Sequence, residues 1–205
     1  MTMNTAALDV SRETLERLEL LHALLKKWNP AINLVSRSSL DQAWDRHIMD
    51  SAQIFSLGAD HGHWVDLGSG GGFPGLVVAC MAAGQDLPIR VTMIEADQRK
   101  ATFLRLAVDQ LSINANVIAQ RIEKASPQNA QTVSARALAP LPLLLSYAAR
   151  HISPDGSATC LFLKGANWRQ EVELARKDWQ FELQVHQSTT DPEGAILAVR
   201  SMSHV

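Results

Sequence analysis

Apolar positions along this chain follow two rhythms, and the change between them near residue 60 divides the sequence. In the first stretch Leu15, Leu18, Leu21, Leu25 and Trp28 recur at helical spacing and define one face of a helix. Ser11 is placed to cap it, Glu13 sits in its first turn, and Asn29-Pro30 is expected to end it. A second helix is predicted from Ser38-Ser39, where Ser39 and Gln42 have capping-box spacing. Trp44, Ile48, Ser51 and Phe55 form its core stripe, and Gly58 and His61-Gly62 stop it.

From residue 63 short apolar runs alternate with helical patterns. Strands are predicted at 64–67, 90–95, 116–119, 132–135, 159–163, 181–185 and 195–199, with helices at 75–83, 98–111, 141–150 and 167–177. The helix over 98–111 should bury Phe103, Leu104, Ala107 and Leu111. Such alternation predicts an α/β fold with a mainly parallel seven-stranded sheet covered on both faces. The turn residues Asp191-Pro192-Glu193-Gly194 give the final pair a hairpin-like connection, so the last strand is expected to run antiparallel. Residues 1–60 read as an N-terminal helical extension packed on a core domain spanning 61–205.

Composition narrows the class without naming a function. The 205 residues are 46% hydrophobic and 20% charged, which is ordinary for a globular protein with a core. No apolar run is long enough for a membrane span, so no membrane partner is expected. Met1 to Val10 has neither a basic start nor an apolar region of signal-peptide type. Cys80 and Cys160 sit within apolar runs and read as buried free thiols, suiting a reducing, cytoplasmic setting. The formal net charge of −2 argues against broad nonspecific nucleic-acid binding but leaves room for a local basic patch.

The candidate chemistry lies in the glycine cluster after the first predicted strand. Two frames compete there. Gly70-x-Gly72-x-x-Gly75 matches the dinucleotide fingerprint, with Glu95 at the expected distance. That fingerprint should begin as the strand ends, and the apolar strand ends at Leu67. In the earlier frame Gly68, Gly70 and Gly72 follow the strand directly, with Asp66 two residues before the first glycine. This Asp-x-Gly-x-Gly-x-Gly pattern resembles the first motif of S-adenosylmethionine methyltransferases. A carboxylate suits the ammonium group of that cofactor, whereas a pyrophosphate would be repelled by it. Glu95 would then accept hydrogen bonds from the ribose hydroxyls. Other chemistries lack their residues. His61 and His63 form an H-x-H pair with no third ligand at metal spacing, so no metal is expected. Neither a G-x-S-x-G elbow nor a G-K-[ST] phosphate loop occurs.

Further segments carry a more specific resemblance: Asn33-Leu34-Val35-Ser36, Arg46-His47-Ile48-Met49-Asp50-Ser51, Asp66 to Gly75, Ser134-Ala135-Arg136-Ala137 and Leu163-Lys164-Gly165. Through them the chain resembles the RsmG (GidB) family, methyltransferases that act on a guanine N7 in bacterial 16S ribosomal RNA. The resemblance implies a Rossmann-like methyltransferase fold and S-adenosyl-L-methionine as cofactor. It also implies 16S ribosomal RNA or the small ribosomal subunit as partner; a monomer is expected. It carries cofactor contacts to Gly68, Phe73, Glu95, Ile122, Glu123 and Arg136, beside Asp66, Gly70 and Gly72. It places His47, Asp50, Arg136 and Lys164 as candidates for the catalytic edge. The second-strand acid is more often Asp in the family, so Glu95 departs from its pattern. Arg37, Arg46 and Arg99-Lys100 are candidates for phosphate contacts. Competing readings are a methyltransferase acting on a small molecule or protein, a nicotinamide oxidoreductase, and a non-catalytic RNA-binding module.

Overall fold

A computed structural model describes residues 8–205 of the chain, so the first seven residues of the extension lie outside the described residues. The first helix, α1 (Arg12–Ile32), starts as the sequence predicts, with the Ser11 hydroxyl accepting from the Thr14 amide at 3.2 Å. Its end is different. The helix runs through Pro30 and stops at Asn33, which adopts the left-handed conformation at φ 60° and donates its amide to the Asn29 carbonyl. Proline removes one amide from the last turn, and that single loss does not stop a helix whose Leu18, Leu21, Leu25 and Ile32 are already buried. The Asn29 side chain also accepts from the Val35 amide at 2.8 Å and fixes the exit.

The single helix expected after Ser38 is broken into pieces. They are α2 (Arg37–Leu40), a π-helical segment (Trp44–Met49), α3 (Asp50–Ala52) and a 3-10 turn (Phe55–Leu57). Trp44, Ile48 and Ser51 are buried as predicted, while Phe55 is half-buried. The capping box does not form. The Ser39 hydroxyl instead donates to the Ser36 carbonyl at 3.0 Å and meets the His47 ring at 2.9 Å. A π-helical turn is wider than an α turn and commonly marks a functional site.

Seven strands follow with their helices: β1 (Gly62–Leu67), α4 (Gly75–Gly84), β2 (Ile89–Ile94), α5 (Gln98–Leu111), β3 (Ala115–Ile118), β4 (Thr132–Arg136), α6 (Leu141–His151), β5 (Thr159–Lys164), α7 (Trp168–Ala175), β6 (Trp179–Gln187) and β7 (Ala195–His204). They form one sheet in the order β3-β2-β1-β4-β5-β7-β6. The first five pair in parallel, and β7 runs antiparallel to both β5 and β6. The last two strands are longer than the apolar pattern suggested, because their outer halves carry polar residues and pair with each other.

Alternation along the strands divides the core. Leu161, Leu163, Ile196 and Ala198 face a cluster with α1, α4 and α5, while Cys160, Phe162, Leu197 and Val199 face α6 and α7. Phe103, Leu104, Ala107 and Leu111 are all buried on α5. Both cysteines are buried, and burial pushes each thiol up to about 12, beyond useful reactivity. The strand order reverses at β1 and β4, the switch point where open α/β sheets bind ligands at their carboxyl edge.

Candidate active site

At that edge the chain leaves β1 and turns through Gly68, Gly70 and Gly72 at φ 63°, 54° and 94°. The three glycines are not equivalent. A Cβ on Gly72 would lie 2.3 Å from Leu76 Cδ1, so this glycine lets the turn pack on α4. A Cβ on Gly70 would meet only the Gly68 carbonyl oxygen at 3.8 Å, and would otherwise enter open space. Glu95, just beyond β2, pins that residue: one carboxylate oxygen accepts from the Gly70 amide at 2.7 Å and the other from the Asp97 amide at 2.8 Å. Each oxygen keeps a second lone pair.

A cavity of about 660 Å³ opens over this turn, within the size range of small-molecule sites. Gly68, Gly70, Phe73, Glu95, Ile122, Glu123, Arg136 and His47 line it, which brings together eight of the twelve residues singled out from the sequence. Asp66, Gly72, Asp50 and Lys164 are not among its lining residues. Asp66, expected from the sequence to suit the cofactor's ammonium group, is placed here to hold the turn. Asp66 is fully buried beneath the turn, accepting from the Ser134 hydroxyl at 2.8 Å and the Gly75 amide at 3.2 Å. Burial pushes its carboxyl up to about 6, against the lowering pull of Ser69, Ser134 and the Gly75 amide. Its observed contacts tie strand, turn and helix together. Lys164 likewise forms a 2.6 Å ion pair with Glu171 and donates to the Ala139 carbonyl, while Glu171 accepts from the Leu141 amide. These contacts hold the start of α6.

Arg136, the last residue of β4, is the centre of the arrangement. Its Nε pairs with Asp50 at 3.1 Å, and its Nη2 donates both to the Arg46 carbonyl and to His47 Nδ1 at 2.7 Å. The π-helical segment supplies two of these partners and Asp50 caps its end. Nη1 is buried with no partner among the described residues. Burial lowers the Arg136 pKa, and Asp50 opposes that shift. His47 also stacks on Phe73 of the glycine turn, with ring centroids 5.2 Å apart. Burial first, then the Arg136 and Arg46 charges, lower its pKa to about 4.

A second cavity of about 730 Å³ adjoins Arg136. Arg46, Arg136 and Ala137 line both cavities. Asp50, Lys164 and the turn before β7 line the second alone. That turn is held to α3 and the residue after it by Thr189 and Thr190, which no sequence motif singles out. Thr190 Oγ1 donates to Asp50 at 2.7 Å, and the Thr189 amide donates to Gln53 at 2.7 Å. No local motif marks such contacts, which join positions about 140 residues apart.

The strand order with β7 reversed, the glycine turn and the acid after β2 define an S-adenosylmethionine-dependent methyltransferase of the Rossmann-like class. Solved structures of low sequence similarity share the fold. A TehB-like methyltransferase from Corynebacterium glutamicum superposes with a TM-score of 0.59 at 13% identity, covering 91% of this chain and 100% of that one. A methyltransferase from Aquifex aeolicus gives 0.57 at 13% identity, covering 78% and 92%. The chain belongs to the rRNA small subunit methyltransferase G family, whose profile matches residues 14–197. It is 51% identical over 200 residues to the protein of that name from Cereibacter sphaeroides, covering 97% of this chain and 95% of the relative. To the Ruegeria protein of the same name it is 49% identical over 198 residues, covering 97% and 96%.

Proposed function

We propose that the protein methylates N7 of a guanine in 16S ribosomal RNA, with S-adenosylmethionine held in the first cavity. The observation that carries the reading is Arg136 at the wall between the two cavities, with family membership supplying the RNA. The first cavity suits the cofactor: Gly70 offers backbone without a side chain in the way, and Glu95 has free lone pairs for ribose hydroxyls. Ile122 and Glu123 also line it. The cofactor supplies a methyl group on a sulfonium sulfur.

Guanine N7 carries a free lone pair at neutral pH. As that pair forms the new N–C bond, the C–S electrons stay on sulfur, leaving S-adenosylhomocysteine and a positively charged N7-methylguanosine. No proton leaves N7, so no general base is required. The protein's part is alignment, which turns an encounter between two molecules into a near-unimolecular step. His47 fits a positioning role. Arg136 donates to its Nδ1, so that nitrogen is an acceptor and Nε2 carries the proton, donating to Ser39. Neither nitrogen is free to take a proton from substrate.

Asp50 holds Arg136, and Lys164 acts through Glu171 and α6 instead of at the reacting atoms. Among the described residues no helix is long and apolar enough to cross a membrane, and action on ribosomal RNA fits the bacterial cytoplasm. N7-methylguanosine is open to reduction and chain scission, so the site can be mapped chemically. RNA from cells lacking this protein should lose one scission site in the small-subunit RNA. An unchanged pattern would overturn the proposal.

A further inference from the structure

We propose that the second cavity is the pocket for the target guanine and that Glu193 reads its Watson–Crick edge while Arg46 meets its O6. The inference rests on the N7 reading above and adds the residues that would distinguish guanine from other bases.

Orientation follows from the chemistry. The methyl group comes from the first cavity, so the N7 and O6 edge of the base must face the shared wall. Arg46 and Arg136 stand on that wall. Three N–H positions of Arg136 are spent on Asp50, Arg46 and His47. The Arg46 guanidinium makes no hydrogen bond or ion pair to the described residues and lines both cavities, so it is the donor at liberty to meet O6. Arginine donating to guanine O6 is a recurrent pairing in nucleic-acid recognition.

The opposite edge of a base so placed presents N1–H and the 2-amino group, two donors side by side, into the second cavity. Two parallel donors suit one carboxylate. Four acids line that cavity. Asp50 holds Arg136 and Thr190, Glu171 holds Lys164 and the Leu141 amide, and Asp191 accepts from the Glu193 amide. The Glu193 carboxylate alone has no partner among the described residues, and it lines the second cavity without reaching the first. It lies on the turn that Thr189 and Thr190 fasten to Gln53 and Asp50, so its backbone is anchored relative to Arg136. An adenine in the same pose would present its 6-amino donor to Arg46 and no 2-amino group to Glu193. A site built to bond a polar group disfavours an analogue that lacks it.

The test compares two RNAs that differ at the mapped nucleotide, one with guanosine and one with inosine. Inosine keeps N7, O6 and N1–H and loses only the 2-amino group. The full-length protein should methylate the guanosine RNA about tenfold or more faster by kcat/KM, the scale of one hydrogen bond to a charged group. Glu193→Gln should bind S-adenosylhomocysteine like the parent, lose about tenfold on guanosine, and bring the two rates together. Arg46→Ala should slow both RNAs and keep the guanosine preference. Equal parent rates on both RNAs, or an unchanged preference in Glu193→Gln, would overturn the pocket assignment while leaving N7 transfer standing. A parent protein inert on the guanosine RNA would overturn the N7 reading and this inference with it.

Discussion

Arg136 donates a 2.7 Å hydrogen bond to Nδ1 of His47, and this contact decides where the proton of the ring resides. A guanidinium can only donate, so Nδ1 accepts and Nε2–H points to Ser39. The Ser39 hydroxyl passes its own hydrogen to the Ser36 carbonyl, and the chain of donors is complete without a charge on the ring.

The methyl-transfer step should therefore be nearly independent of pH from about 6 to 9. His47 is neutral throughout that range, its pKa having been lowered to about 4, and N7 needs no deprotonation. Single-turnover rates of the parent and of His47→Gln should give parallel flat profiles, with the variant lower because Arg136 loses part of its seat. A rate that climbs with pH in the parent and not in the variant would assign a base to His47 and a different atom to the methyl group.

Stability should depend on pH through the same ring. The folded pKa of about 4 lies below the ordinary value of 6.5, so between them the unfolded chain binds a proton that the folded chain refuses. The neutral ring's contribution is complete above about 6.5 and is lost as pH falls towards 4, amounting to about 3 kcal/mol at most. Asp66 acts with the opposite sign, since its folded pKa of about 6 lies above 3.8 and its contribution is lost as pH rises. The measurement is consequently a difference. Denaturant midpoints of the parent minus those of His47→Gln should shrink steadily from pH 6.5 to 4, and a constant difference would contradict the buried neutral ring.

Gly70 and Gly72 should fail in different ways when replaced by alanine. At Gly70 the methyl group enters open space, so the structural cost is the left-handed backbone, about 1–2 kcal/mol. S-adenosylhomocysteine affinity should fall more than stability does. At Gly72 the methyl group would run into Leu76 and approach Leu104, so the fold should lose more than it does at Gly70. Thermal unfolding with and without ligand separates the two, and equal ligand-induced shifts in Gly70→Ala and the parent would place the cofactor elsewhere.

Much of this was legible in the chain. The β1 strand, the glycine turn and α4 follow from apolar runs and glycine spacing, and the amphipathic pattern of α5 predicted its buried face. Glu95 was found because a turn and an acid support each other at a known separation. At Asp66 the sequence leaves two placements open: an acid before a glycine turn can face the ligand or hold the turn from beneath, and the structure puts it beneath. The break-up of residues 37–57 was hidden as well. The contacts there are long-range: Arg136 bonds the Arg46 carbonyl and Thr190 the Asp50 carboxylate, and neither lies near this region in sequence.

Those distant contacts also set an order of assembly. Asp50 takes one bond from Arg136 and another from Thr190, so three stretches of chain separated by more than fifty residues converge on one carboxylate. Closing such wide loops is entropically costly and comes late when local helices and neighbouring strands form first. During synthesis the amino-terminal helices and the parallel strands emerge before the turn carrying Thr190. A partly made chain can thus bury most of its core while Arg136 still lacks its finished seat, and catalytic competence arrives only with the final hairpin.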